Sequence, residues 1–204
     1  MAEEATMDPE LPDSPHPLVE SWLAEAEGDE RILYPNSACL ATADGDGRPD
    51  ARLVLLKDVG ADGYVFYTNL GSAKARALAE NPRAALVLYW EPLGRQVRVR
   101  GSVEETTAAE ADAYFASRPR GSQVGAWASE QSASVPDRAA LEEHLREAEA
   151  RFGDDPVPRP PHWGGFRLKA EEVEFWLERE YRLHDRFLYR AEAGGGWSVQ
   201  RLFP

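Results

Sequence analysis

The chain has 204 residues, of which 43% are apolar, and its 36 acidic and 23 basic side chains give a net charge of −13. This length and apolar fraction are typical of one globular domain with its own core, and the negative charge argues against nucleic acid and anionic membranes as partners. One cysteine, no apolar N-terminal segment and no apolar run long enough to span a bilayer predict a cytoplasmic protein without disulfides or signal peptide.

The acidic side chains are concentrated near the N-terminus. Residues 1–30 hold ten of them and no Lys or Arg, so the rest of the chain has a net charge of only −3. Residues 1–16 are rich in proline and acid, which predicts a flexible arm ahead of a single domain over residues 17–204. An amphipathic helix over residues 18–26 follows, and Gly28 ends it.

Short β-strands dominate the next part of the chain. Closely spaced turns rich in Gly and Asp leave little room for crossover helices, so we expect a mainly antiparallel sheet that closes into a barrel. A helix over residues 73–80, with Ser72 at its N-cap, interrupts the strands. The predicted strands are residues 38–43, 51–57, 64–68, 84–90 and 96–103.

The second half begins with helices and returns to strands. Helices are predicted at residues 108–117 and 137–152, joined by a connection over residues 118–136 that is rich in Ser, Gly and Arg. A proline-rich connection over residues 156–161 follows. The C-terminal strand should pair into the sheet and hold the chain end. The predicted strands are residues 166–169, 173–176, 183–189 and 197–202.

The sequence offers phosphate-binding side chains rather than a metal site. Its four His lack partners at ligand spacing, and no Walker or dinucleotide-binding loop is present. Arg, Lys, Ser and Tyr instead gather at loops and strand ends, as in sites that bind phosphorylated ligands. Arg52 and Lys57 lie five residues apart and so on opposite faces of a regular strand. We therefore expect a bulge between them or two different ligand groups.

Three further segments are open to two interpretations each. The helix start at Ser72 and Lys74 is either a phosphate site or a capped helix with a solvent-exposed lysine. Residues 114–122 are either a second anion cradle or a charged turn. Alternation places Arg182, His184 and Arg186 on one strand face, where they would repel one another unless an anion or carboxylate lies opposite, and this favours a functional role.

Ten segments, in order and at consistent spacing from about residue 18 to the C-terminus, resemble the pyridoxamine 5′-phosphate oxidase family. The resemblance implies a mainly β (α+β) fold, an antiparallel Greek-key split β-barrel with flanking helices that binds FMN. It also implies a homodimer with FMN at the subunit interface. The segments are Arg52–Lys57, Phe66–Asn69, Arg95–Val97, Tyr114–Gln123, Gly125–Ser129, Gln131–Ser132, His162–Gly165, Glu174–Trp176, Arg182–Arg186 and Arg201–Pro204.

The resemblance further implies a reaction and a role for individual residues. In this family a phosphorylated B6 vitamer, pyridoxine or pyridoxamine 5′-phosphate, gives a hydride from C4′ to flavin N5, and O2 reoxidises the flavin to yield H2O2 and pyridoxal 5′-phosphate. Arg182 and His184 are implied to be catalytic, orienting the substrate over the flavin. The implied substrate contacts are Lys57, Tyr114, Arg118, Ser122, Arg182 and His184. The implied FMN contacts are Arg52, Lys57, Tyr67, Thr68, Lys74, Gln96, Gln131, Ser132, Trp176 and Arg186.

Three features depart from the family pattern. Ala73 stands where an Arg usually precedes Lys74, and Leu177 stands where Gln is usual. The leader lacks the Arg and Tyr that the family brings towards the substrate. Because a charged hydrogen bond contributes about 1.5–3 kcal/mol, the loss of the Arg predicts weaker FMN binding.

Other functions remain alternatives. A related FMN-dependent oxidase could act on a dihydrophenazine-type ring in secondary metabolism, although the phosphate clamp of Tyr114, Arg118 and Ser122 favours a phosphorylated substrate. A flavin- or pyridoxal-phosphate-binding protein with little turnover would fit Ala73 and the acidic arm. Nucleic-acid binding lacks support because no continuous basic face is evident.

Overall fold

A computed structural model describes residues 11–204, so most of the predicted arm lies outside the described residues. The described chain forms eight strands and five α-helices. The strands are β1 Ser37–Ala43, β2 Pro49–Gly60, β3 Gly63–Asn69, β4 Arg83–Trp90, β5 Arg95–Glu105, β6 Trp163–Leu177, β7 Asp185–Ala191 and β8 Trp197–Arg201. The helices are α1 His16–Glu27, α2 Ala73–Glu80, α3 Ala108–Ser117, α4 Arg120–Ala128 and α5 Arg138–Phe152.

Six strands form a closed antiparallel barrel. Their order is β3-β2-β1-β4-β5-β6, and pairing of β3 with β6 closes the ring. Strand β4 returns to lie beside β1 after the β1-β2-β3 meander, which is a Greek-key connection. Strands β7 and β8 extend the sheet beyond β6, and the last residues are held there because Leu202 N–H donates to the Arg186 carbonyl. The predicted fold class is confirmed.

Strand alternation fills the barrel. In β1, β4 and β5 buried side chains alternate with more exposed ones, so each strand turns one face inward. Leu40, Leu88, Val97 and Phe175 are at most 1% exposed inside the ring. Helix α1 lies against the barrel through Val19 and its buried neighbours.

A second apolar cluster joins α3, α4 and α5 beside the barrel. Here the predicted connection over residues 118–136 is wrong in part, because helix α4 lies within it. Gly and Ser lower the helix propensity of this segment. Packing of Val124 and Ala128 in one cluster with Phe115 and Phe152 overrides that preference.

The last strands also differ from the prediction. Residues 166–169 and 173–176 belong to one strand, β6, whose register against β5 shifts between Arg100 and Gly101. Strand β7 begins at Asp185, and the preceding Tyr181 and Arg182 have positive φ values of 57° and 62°. The predicted alignment of Arg182 on one strand face is therefore wrong, since that residue lies in a turn.

The described residues ahead of the predicted domain start already contact the barrel. Leu11 packs against the main core, and the Tyr189 hydroxyl donates to the Pro12 carbonyl over 3.0 Å. Between residues 11 and 204, none of the helices combines the length and the apolar character that crossing a bilayer requires.

Candidate functional site

A cleft of about 630 Å³ opens between β2 and β3 on one side and α3 and α4 on the other. The barrel supplies the middle of β2 and the C-terminal end of β3. Helices α3 and α4, which lie between β5 and β6 in the sequence, supply the opposite wall. The predicted site residues that line the cleft are Lys57, Tyr67, Thr68, Lys74, Tyr114, Arg118, Ser122 and Gln131. Three of the segments predicted to bind phosphate, those around Lys57, Lys74 and residues 114–122, thus converge on one cavity.

Lys57 lies at a β-bulge. Leu56 pairs with Phe66 and Asp58 pairs with Val65, so Lys57 is the extra residue of β2. A bulge is one of the two alternatives that the Arg52–Lys57 spacing predicts. The Lys57 ammonium lies 5.6 Å from the centroid of the Tyr114 ring.

Arg52, on the same strand, does not line the cleft. Its guanidinium donates to Thr42 Oγ1 over 2.8 Å and forms an ion pair with Asp50. That ion pair lowers the pKa of the Asp50 carboxyl through a hydrogen bond and charge attraction. Arg52 still acts on the cleft, because its charge helps to lower the pKa of the Lys74 ammonium.

Lys74 is 9% exposed, so the alternative of a solvent-exposed lysine is wrong. Its ammonium donates to Thr68 Oγ1 and Gln131 Oε1, both at 3.1 Å, and to Ser72 Oγ at 3.3 Å. Burial, followed by repulsion from Arg52, lowers its pKa. Every hydrogen-bond acceptor is neutral, so an anion would complete this environment.

Ser72 occupies the N-cap position of α2, as predicted, but its side chain makes no capping hydrogen bond. Its hydroxyl accepts from Lys74 instead. The first N–H of the helix, that of Ala73, donates to Ser132 Oγ over 3.2 Å. Ser132 has a φ of 73° and follows Gln131, so this short loop sets both side chains at the start of α2.

Arg118 carries an unpartnered donor. Its Nη1 is buried and has no hydrogen-bond partner among the described residues. The guanidinium lies 4.9 Å from the Trp163 ring centroid and 5.6 Å from that of Phe115. Burial lowers its pKa. A buried charged donor without an acceptor is costly, and a ligand phosphate would remove that cost.

An aromatic stack supports these cations. Tyr67 lies 4.3 Å from Tyr114 and 5.4 Å from Trp163 between ring centroids, at interplanar angles of 18° and 3°. Sequence reasoning did not include Trp163, which is 6% exposed, among the site residues. Its place beside two glycines in the His162–Gly165 segment was the available signal. Trp163 both packs in the helical cluster and lines the cleft.

The other predicted site residues form a separate group on the outer face of β5, β6 and β7 and in the turn that precedes β7. Gln96 pairs with Trp176, and Trp176 pairs with Arg186 on the next strand. The Trp176 and His184 rings lie 4.5 Å apart between centroids. The members Gln96, Trp176, Arg182, His184 and Arg186 do not line the cleft, and we call them the outer group.

A buried carboxylate balances the outer group. Glu174 is 4% exposed and binds Arg186 at 2.8 Å and Arg98 at 2.7 Å. Of the predicted row of cations, Glu174 therefore balances Arg186 alone, because Arg182 and His184 lie in the turn ahead of β7. Over residues 11–204, no cluster of His, Cys, Asp and Glu is suited to a metal ion.

Two family models match the chain. The one described as pyridoxamine 5′-phosphate oxidase covers residues 24–152, and the one described as pyridoxine 5′-phosphate oxidase C-terminal dimerisation region covers residues 163–204. A pyridoxine/pyridoxamine 5′-phosphate oxidase of Maricaulis maris is 55% identical, over 94% of this chain and 86% of that protein. One from Caulobacter vibrioides is 52% identical, over 98% of this chain and 90% of that protein.

Solved structures share the fold. PhzG from Burkholderia lata, crystallised with tetrahydrophenazine-1-carboxylic acid, is 34% identical with a TM-score of 0.89, over 97% of this chain and 95% of that chain. A pyridoxamine 5′-phosphate oxidase-related, FMN-binding protein from Nostoc punctiforme is 19% identical with a TM-score of 0.75, over 93% of this chain and 97% of that chain. The second likeness supports the fold alone.

Proposed function

Because the chain belongs to the pyridoxamine 5′-phosphate oxidase family, we propose that it oxidises pyridoxine 5′-phosphate or pyridoxamine 5′-phosphate to pyridoxal 5′-phosphate, using FMN and O2 and releasing H2O2. The cleft carries the proposal. Lys57 and Arg118 lie there beside the Tyr114 and Ser122 hydroxyls, and neither cation forms an ion pair with a described residue. Such a group matches the charge and hydrogen-bonding capacity of a phosphate.

The donor set fits a second phosphate, that of FMN. Lys74 has only neutral partners, and Thr68, Gln131 and Ser132 surround the start of α2. We propose that these residues, with Arg52, Lys57 and Tyr67, hold FMN on one protomer. FMN, when bound, supplies a ring that accepts a hydride and is reoxidised by O2.

The outer group supports a site shared between two protomers. Gln96, Trp176 and Arg186 are proposed FMN contacts, and Arg182 and His184 are proposed substrate contacts, yet all five lie outside the cleft of their own chain. The apolar outer face of β2, where Leu53 is 73% and Leu55 is 43% exposed, offers a surface for a second copy. We propose a homodimer in which the outer group of one protomer completes the cleft of its partner.

The proposed mechanism assigns binding and orientation to this chain's side chains. Lys57, Arg118, Tyr114 and Ser122 fix the substrate phosphate, which makes the reaction between bound partners effectively intramolecular. Arg182 and His184 orient the substrate ring towards the flavin. The stacked Tyr67, Tyr114 and Trp163 rings shield Lys57 and Arg118 from water on the side away from the ligand.

A second candidate function rests on the likeness to PhzG. That structure holds a tetrahydrophenazine carboxylic acid and aligns with nearly the whole chain. A reduced phenazine acid is thus the alternative substrate. Such a ligand carries a carboxylate but no phosphate, and the orphaned Arg118 donor beside Lys57 favours the phosphorylated substrate.

The test compares substrates on the purified protein. We expect a yellow protein that releases H2O2 with pyridoxine 5′-phosphate or pyridoxamine 5′-phosphate, and little with a dihydrophenazine carboxylic acid. The visible spectrum and a peroxide assay measure both. A colourless protein that FMN fails to stabilise contradicts the flavin assignment, and a yellow protein that oxidises only the phenazine acid contradicts the vitamer assignment.

A further inference from the structure

The turn between β6 and β7 holds its shape through contacts that the proposed mechanism does not use. Tyr181 and Arg182 both have positive φ values, a region that residues with side chains rarely adopt. Such a conformation persists only where surrounding contacts determine it. In this turn, the Leu183 N–H donates to the Glu180 carbonyl over 3.1 Å.

Asp185 ties the two ends of the turn together. Arg179 Nε donates to one of its carboxylate oxygens over 2.7 Å, and Arg201 Nη1, from β8, donates to the other. The Arg201 guanidinium lies 4.6 Å from the ring centroid of Phe187. The residues on either side of Arg182 and His184 are therefore fixed to each other and to the neighbouring strand.

The same turn fixes the protonation pattern of the His184 ring. The backbone N–H of Arg179 donates to His184 Nδ1 over 3.1 Å. A backbone N–H can only donate, so Nδ1 must carry the lone pair, and the neutral ring holds its proton on Nε2. The Trp176 ring, 4.5 Å away between centroids, packs against the imidazole.

We propose that Arg179 and Asp185 are positioning residues that hold His184 in the tautomer with its proton on Nε2. His184 then presents a hydrogen-bond donor, and the neighbouring Arg182 can also only donate. The edge of the ligand ring that faces them must therefore carry acceptor atoms, such as a phenolate or carbonyl oxygen. This use of the donor rests on the proposed function, whereas the tautomer is a property of the protein alone.

The tautomer is tested by NMR without substrate. Long-range 1H–15N correlation spectra of protein labelled with 15N-histidine, at about pH 8 where histidine is normally neutral, distinguish a proton on Nε2 from one on Nδ1. The His184→Gln variant assigns the signal. We expect the Nε2–H pattern, and an Nδ1–H pattern or an exchanging mixture overturns the proposal even if the vitamers are oxidised.

Substitutions test the positioning role. Asp185→Asn should give a mixed His184 tautomer and lower kcat between about 10- and 100-fold, with a smaller change in FMN affinity. Asp46→Asn removes the carboxylate of another Asp–Arg pair, in the turn between β1 and β2, and should change neither. An unchanged tautomer and kcat in Asp185→Asn contradict the role. If Asp185→Asn fails to fold, the wild-type spectrum still decides the tautomer.

A rescue experiment tests the donor. His184→Gln can place an amide N–H near the position of Nε2, whereas His184→Ala cannot. We expect the Gln variant to retain about tenfold more turnover than the Ala variant, with similar KM values. Equal turnover of the two variants contradicts a donor role, while an Nε2–H spectrum in a protein inert to both vitamers leaves the tautomer standing and removes the proposed function.

Discussion

The cleft and the outer group both contain cations, but only the outer group balances them with carboxylates. Lys74 and Arg118 are buried with neutral partners or none. In the outer group Glu174 holds Arg186, and the Asp185 carboxylate closes the turn that carries His184. The difference indicates that the cleft is built to receive anions, whereas the outer group is built to fix its own geometry.

If the site is shared between protomers, each active site combines the cleft of one protomer with the outer group of its partner. We expect Arg118→Ala and Arg182→Ala homodimers each to be almost inactive when the substrate concentration is well below the raised KM of Arg118→Ala. A dimer that contains one of each has one site with both substitutions and one site with neither. Random mixing of the two should therefore restore about one quarter of the wild-type activity, measured as peroxide release after co-expression or subunit exchange.

The control for this mixing is a pair of variants that are both substituted in the cleft. Arg118→Ala mixed with Lys57→Ala should stay inactive, because every site of the mixed dimer lacks one cleft cation. Recovery of activity in that pair, or none in the Arg118→Ala and Arg182→Ala pair, means that the cleft and the outer group do not come from different protomers.

The cleft cations should set the preference for a phosphorylated substrate. Arg118→Ala removes the orphaned guanidinium, so we expect KM for pyridoxamine 5′-phosphate to rise between about 10- and 100-fold. The rate with unphosphorylated pyridoxamine should change little, so that discrimination between the two falls. Steady-state peroxide assays with both compounds measure this.

Arg120→Ala is the matched control. Arg120 is two residues away, but its guanidinium donates to the backbone carbonyls of Asp155 and Gly153. We expect its loss to lower stability and to leave substrate discrimination intact. Equal loss of discrimination in the two variants would mean that Arg118 acts by holding the segment rather than by binding phosphate.

The barrel was predictable from the sequence, but the division of the site was not. Alternation and short turns place β1 to β5 nearly correctly, and the Arg52–Lys57 spacing anticipates the bulge. Helix α4 was not predicted because its glycine-containing sequence is stabilised by packing against α3 and α5. The shape of the turn at Arg182 was not predicted because its two left-handed residues, Tyr181 and Arg182, show no local sequence signal. Contacts of Asp185 with Arg179 and with Arg201 on the next strand close the turn instead.

Lys74 should show a trade-off between stability and binding. Burial of an ammonium among neutral groups is unfavourable, so Lys74→Met should stabilise the apoprotein by about 1 kcal/mol. Thr68 and Gln131 keep their mutual hydrogen bond of 2.9 Å in the variant. FMN affinity should fall between about 10- and 100-fold. Denaturant unfolding of the apoprotein and fluorescence titration with FMN measure the two effects.

The stability difference between wild type and Lys74→Met should depend on pH in a definite direction. Burial lowers the pKa of Lys74, so the unfolded chain binds the proton more tightly than the folded one. Wild-type apoprotein should therefore gain stability relative to Lys74→Met as the pH rises from the folded pKa towards 10.5, the ordinary value for lysine. Lys169→Met, which removes an exposed lysine that pairs with Glu104, is the control for loss of a lysine charge outside the cleft. A constant difference between wild type and Lys74→Met across this range contradicts the unpaired-cation description of the cleft.

Adding a positive charge at residue 73 tests whether the proposed FMN phosphate site lacks a cation. Ala73→Arg places a second cation at the start of α2, beside the proposed FMN phosphate. Because residue 73 is partly exposed, we expect FMN to bind only about three- to tenfold more tightly. Ala73→Gln supplies length without charge and should change the Kd less. An equal Kd for all three proteins would mean that the backbone N–H of Ala73 and the Ser132 hydroxyl, already 3.2 Å apart, leave no room at that phosphate for another donor.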